Sequence, residues 1–137
     1  MKWLLDSNTC IRYLRAPLSP VGIRLASTPA DEKALSTIVV FELLRGAYRS
    51  LRPDENRERV RAFAALYIVL DFDSGVAETA AQIDADLMRR GERIGGNDVL
   101  IAATALHNQL ILVTHNTREF TQVGGLRLED WELHEPR

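Results

Sequence analysis

Short, wholly apolar runs, each cut off by a polar residue, punctuate this chain and leave few folds open to it. Trp3-Leu4-Leu5 stops at Asp6, Tyr67-Ile68-Val69-Leu70 stops at Asp71, and Leu110-Ile111-Leu112-Val113 stops at Thr114. Such runs read as strands, and strands apolar throughout are expected where helices cover both faces of a sheet. Ala34 to Thr37 reads as a further short strand, and Leu126-Arg127-Leu128 as a last edge strand. Between the runs lie helical stretches with recognisable ends. Asp6-Ser7-Asn8 offers N-cap chemistry for a helix through Ile11, Tyr13 and Leu14 that Pro17 stops. Pro20 to Ser27 is a second helix, and Ile38 to Tyr48 a third. Pro53 opens one that runs to about Ala65. Asp73-Ser74 caps a long helix over Val76 to Arg90 with Ala77, Ala80, Ala81, Ile83, Leu87 and Met88 on one side, closed by Gly91. Asn97-Asp98 caps an apolar helix over Val99 to His107, and Thr117 to Phe120 adds one more turn. Strands alternating with helices predict an α/β fold on a mostly parallel sheet, as one domain over residues 1–137.

No apolar run approaches the ~18–20 residues of a membrane span. The apolar run before Asp6 is too short for a signal-peptide core, so a cytoplasmic protein is expected. Cys10 is the only cysteine, which excludes an internal disulfide and reads as a small buried hydrophobe. The net charge of −2 supplies no global attraction to nucleic acid. Of the 17 basic residues, however, 15 are Arg, the better bidentate phosphate ligand. Arg45, Arg49, Arg52, Arg57, Arg59 and Arg61 are concentrated in one third of the chain. A solvated helix face paired with Asp54, Glu55 and Glu58 and an RNA-contacting stripe both fit this pattern.

In a parallel sheet, ligands bind outside the carboxyl ends of the strands. Asp6 follows the first strand directly, and Thr114, His115 and Asn116 follow the Leu110–Val113 strand. Glu42 stands alone in Ile38-Val39-Val40-Phe41-Glu42-Leu43-Leu44, where burial without a partner is costly. It must reach a cleft, find a base such as Arg45 or Arg49, or bind a cation. Asp98 opens an otherwise apolar helix. Singly, Asp6 and Asp98 also fit as N-caps, and Asn116 with Glu119 has capping-box spacing. Together they imply carboxylates converging on one sheet edge, a group that repels itself unless cations neutralise it. Oxygen-only donors favour Mg²⁺ or Mn²⁺ over zinc. His107, His115 and His134 lack metal-ligand spacing, and no Walker loop, Gly-x-Ser-x-Gly or His-Glu-x-x-His occurs.

The chain resembles the PIN-domain ribonucleases, and among them the VapC toxins of VapBC toxin–antitoxin pairs. The resemblance rests on Leu4-Leu5-Asp6-Ser7-Asn8, Phe41-Glu42-Leu43-Leu44-Arg45-Gly46-Ala47 and Gly96-Asn97-Asp98-Val99-Leu100-Ile101-Ala102-Ala103, in that order and spacing. Its most specific piece is Thr114 to Phe120 followed by Val123 to Trp131, which looks like the subgroup that cleaves initiator tRNA in the anticodon stem-loop. The resemblance implies a PIN-like three-layer α/β/α fold. It also implies Mg²⁺-dependent phosphodiester hydrolysis, a homodimer, and a VapB antitoxin whose C-terminal segment blocks the site. It places Asp6, Glu42 and Asp98 on the family's three main acids, with Asp6 and Asp98 as metal ligands. Asn116 stands where many PIN domains carry a fourth acid; Glu119 is its expected substitute, with Asn116 as a neutral ligand or orienting group, and the fourth place lies between these two. Ser7 keeps the hydroxyl of a more usual Thr, and Asn8 matches a position that steadies the first acid. Arg45, Arg49 and Arg118 are the expected phosphate contacts. Two rivals stand beside this expectation: a Mg²⁺-dependent phosphatase-like domain, which commonly needs a second acid near the first, and a degenerate PIN domain that binds without cutting.

Overall fold

The computed structural model describes residues 1–132, so the expectation for His134 lies outside the described residues. Five strands form one sheet: β1 (Trp3–Leu5), β2 (Lys33–Ser36), β3 (Ile68–Leu70), β4 (Ile111–Val113) and β5 (Leu128–Glu129). The order is β3-β2-β1-β4-β5, and every pairing is parallel. The helices are α1 (Ser7–Arg15), α2 (Pro20–Ser27), α3 (Thr37–Tyr48), α4 (Pro53–Ala64), α5 (Ser74–Arg89), α6 (Gly96–His107) and α7 (Thr117–Phe120). No described helix is long and apolar enough to cross a membrane.

The strands are short because the apolar runs are short, and parallel neighbours need helical crossovers between them. The centre of the sheet is buried as expected. Leu4, Leu5, Ala34, Leu35, Leu112 and Val113 are fully inaccessible, and Cys10, Val39, Ile101, Ala102 and Phe120 close the core around them. Fully burying one Leu or Val contributes about 1.5–3 kcal/mol.

Some expectations require correction. The sheet is parallel throughout. β3 is a partly solvated edge strand, with Ile68 52% and Val69 37% exposed. The last strand is Leu128–Glu129, starting two residues later than the predicted run and sharing only Leu128 with it, where the backbone pairs with Leu112 and Val113. α5 buries Val76, Ala80, Ile83 and Leu87, whereas Ala77, Ala81 and Met88 face solvent. Its buried set follows i, i+4, i+7, i+11, a narrower stripe than the apolar residues imply.

The strand order reverses at β1: chain direction moves outward to β2 and β3, then returns to the other side as β4. The crevice between the carboxyl ends of β1 and β4 is therefore the topological switch point, where ligands of α/β sheets are held.

Candidate active site

Asp6 sits at that switch point. Its backbone N–H donates to the Val113 carbonyl at 2.9 Å, continuing the β1–β4 ladder by one residue. Its extended backbone then makes it the N-cap of α1, with Oδ1 accepting from the Ser7 N–H at 2.8 Å. Oδ2 accepts from the Thr114 hydroxyl at 2.7 Å, across 108 residues of sequence. Thr114 Oγ1 also accepts from the Asn116 N–H, so one hydroxyl joins both chain segments. Asp6 is 4% exposed. Burial raises its pKa above the ordinary carboxylate range, against the lowering effect of Thr114 and the Ser7 N–H, with Glu42 adding to the rise.

Glu42 projects from α3, whose N-cap Ser36 ends β2 and accepts from the Val39 N–H at 3.1 Å. Glu42 Oε1 accepts from the Ser7 hydroxyl at 2.5 Å, and Oε2 lies 3.4 Å from the Asn97 amide and 3.9 Å from Arg45. The partners of this isolated acid thus include groups that local spacing in α3 does not reveal.

Asp98 comes from the first turn of α6. It is not the N-cap, which is Gly95, because the two glycines let the helix begin earlier than Asn97-Asp98 predicts. The Asp98 side chain folds back over Gly95, where an added Cβ would meet Oδ2 at 3.2 Å. Its carboxyl pKa is pushed up to about 6, first by burial, then by the negative charges of Asp6, Glu119 and Glu42 and a hydrogen bond with Glu119. Four carboxylates from four helices or helix starts therefore share one field.

Glu119, in α7, supplies the fourth carboxylate, and the Asn116 amide donates to its Oε2 at 3.3 Å. Asn116 makes no side-chain cap bond to α7, so the capping-box expectation gives way to a direct side-chain pair. Asn8 is exposed and makes no described side-chain hydrogen bond to Asp6; Ser7 and Thr114 hold that acid instead. Arg45 stacks over Phe41 at 5.0 Å while reaching Glu42, and Arg49 and Arg118 lie at the surface. At the N-cap of α4 and along it, Arg52, Arg57 and Arg61 pair with Glu55, Asp54 and Glu58, and Arg59 donates to the Leu14 carbonyl. Most of the arginine-rich stretch is thus a solvated, self-paired helix face.

The donors at the switch point are all oxygen. Burial first, and then the charge of its neighbours, raises Asp98; a hard divalent cation would relieve the charge, and an all-oxygen donor set fits such an ion. No three of these carboxylates bring ligand atoms within 4.8 Å of one another; among the described residues only His115, Asp130 and Glu132 do. That second cluster was not visible from histidine spacing, because its acids come from the C-terminal segment after β5.

A parallel sheet with carboxylates at its switch point fits more than one class of phosphate chemistry, and comparison with known proteins decides between them. Residues 3–126 match the PIN domain model, and the chain belongs to the PIN domain family. It is 38% identical over 131 residues to the tRNA(fMet)-specific endonuclease VapC of Shigella flexneri, covering 96% of this chain and 98% of that one. It is 36% identical over 132 residues to ribonuclease VapC2 of Haemophilus influenzae strain Rd, at 96% and 98% coverage. A DNA-bound VapBC crystal structure from Salmonella typhimurium superposes with a TM-score of 0.90 at 37% identity, covering 96% and 98% of the two chains. Within the family, the chain is a ribonuclease of the VapC type.

Proposed function

We propose that this protein is a Mg²⁺-dependent endoribonuclease, the toxin of a type II toxin–antitoxin pair, and that it cleaves tRNA in the anticodon stem-loop of initiator tRNA. The observation that carries the nuclease chemistry is the four-carboxylate field around Asp98. The names of the tRNA(fMet)-specific relatives, 38% and 37% identical, support the target.

Asp6 and Asp98 would hold Mg²⁺, with Mn²⁺ as a substitute, and Glu119 completes the acidic rim. A bound divalent ion supplies a water of lowered pKa and neutralises charge on the scissile phosphate. Thr114 and the Ser7 N–H fix Asp6 so that its carboxylate faces the crevice in one orientation. The Ser7 hydroxyl and Asn97 amide orient Glu42, which accepts the proton of the attacking water. Asn116 orients Glu119. Arg45, Arg49 and Arg118 contact RNA phosphates, while loop shape and unstacked bases select the target. The VapBC complexes among the structural relatives support a VapB-type antitoxin as partner. A homodimer and a cytoplasmic site of action complete the proposal. Asp6, Glu42 and Asp98 support a cutting enzyme over the degenerate, non-cutting alternative, whereas Asn116 in place of a fourth acid is the feature that alternative would use.

The test is cleavage of total tRNA with Mg²⁺ or Mn²⁺, with and without EDTA, followed by mapping of the cut ends. Initiator tRNA should be cut within its anticodon stem-loop, and EDTA should stop it. Cutting that persists in EDTA or in Asp98→Asn overturns the metal mechanism. Cutting confined to another RNA overturns the target alone.

A further inference from the structure

We propose that His115, Asp130 and Glu132 form a second metal site, separate from the carboxylate field, that takes a transition-metal ion of the Zn²⁺ type. His115 Nδ1 lies 2.9 Å from Asp130 Oδ2 and 3.2 Å from Glu132 Oε2. Ligands about 2.1 Å from a tetrahedral ion stand roughly 3.4 Å apart, so the three atoms need only a small expansion to admit one.

Each carboxylate is already oriented through its other oxygen. Asp130 Oδ1 accepts from the Glu132 N–H at 2.9 Å, and Glu132 Oε1 lies 3.4 Å from the Arg12 guanidinium. Donors fixed from behind in this way characterise metal sites. The Asp130 side chain is 8% exposed and that of His115 60% exposed, so the cluster has a sheltered floor and an open side where a water completes the coordination. An imidazole nitrogen with two carboxylates favours Zn²⁺, Co²⁺ or Ni²⁺ over Mg²⁺, in contrast to the oxygen-only set at the switch point. The ion would tie the segment after β5 to the end of β4, next to Thr114 and Asn116. None of this depends on the nuclease reading.

A doubly paired imidazolium would hold similar geometry without metal, and the experiment separates the two. The intact protein, in excess Mg²⁺, is titrated with Co²⁺ as a spectroscopic probe and then with Zn²⁺. The expected result is one equivalent of visible Co²⁺ absorption that Zn²⁺ displaces. It should survive in Asp98→Asn and weaken more than about 100-fold in His115→Ala, beyond the loss typical of supporting groups. His115 is exposed enough that this substitution leaves the fold intact. In parallel, ¹⁵N spectra of the His115 ring should show Zn²⁺ on Nδ1 and the proton on Nε2. Uptake unchanged in His115→Ala, no uptake beyond what Asp98→Asn removes, or a ring that stays doubly protonated in Zn²⁺ overturns the proposal.

Discussion

Asp6 has two duties that pull its charge in opposite directions. As an N-cap and partner of Thr114 it stabilises the start of α1, yet as a buried anion near Glu42 it is disfavoured. Asp6→Asn keeps a good cap and removes the charge. Its expected result is a loss of at least about 100-fold in cleavage by gel assay, with a melting temperature equal to or above that of the parent. Asp6→Ala should lose activity equally and also cost about 0.5–2 kcal/mol through the missing cap. Glu119 and Asn116 separate in the same way. Glu119→Gln removes a charge from the field of Asp98 and should reduce cleavage sharply. Asn116→Ala removes only an orienting amide and should act more weakly; equal rates for Glu119→Gln and the parent would exclude Glu119 from the site. Asp98 carries a pH signature. Its carboxyl is raised from 3.8 to about 6 in the fold, so the folded chain binds more protons than the unfolded one across that window. Stability from this group is therefore present at low pH and lost as pH rises through about 6. Metal-free protein should show this fall in melting temperature between about pH 4 and 7, and Asp98→Asn should reduce it, leaving the part that the raised Asp6 contributes.

At the scale of elements, most of the fold was legible because helix ends carry local chemistry. Pro20, Pro53 and Asp73 stand at helix starts, and Gly91 adopts a positive φ just after α5. What escaped the sequence was settled by contacts distant along the chain. β5 takes its position from backbone pairing with β4, not from its own apolar pattern. The order of the acids was readable, but the Ser7–Glu42 and Thr114–Asp6 bonds join residues 35 and 108 positions apart. The His115 cluster was hidden for the same reason. One tight element contact yields a stability prediction. A Cβ on Gly22 would lie 2.2 Å from the Pro17 carbonyl oxygen, so Gly22→Ala must push α2 away from the α1–α2 connection. Overpacking against backbone of this kind should cost about 1–3 kcal/mol, measurable as a lower denaturation midpoint.

For the molecule as a whole, a net charge of −2 and a largely self-paired α4 mean that RNA must be gripped by a few local arginines. Replacing Arg45, Arg49 and Arg118 together by Ala should weaken RNA binding. It should also flatten the dependence of log affinity on log salt by roughly 0.7 for each phosphate no longer neutralised, measured by fluorescence anisotropy across salt concentrations. The β1–β4 crevice carries a different consequence. One wall of it is made at the very start of the chain and the other after residue 110. A nascent chain halted on the ribosome before Thr114 lacks the hydroxyl that sets Asp6 and lacks Glu119 altogether. On the proposed reading of this site, translation times the hazard: the growing polypeptide stays harmless to the RNA around it until nearly all of it has been made.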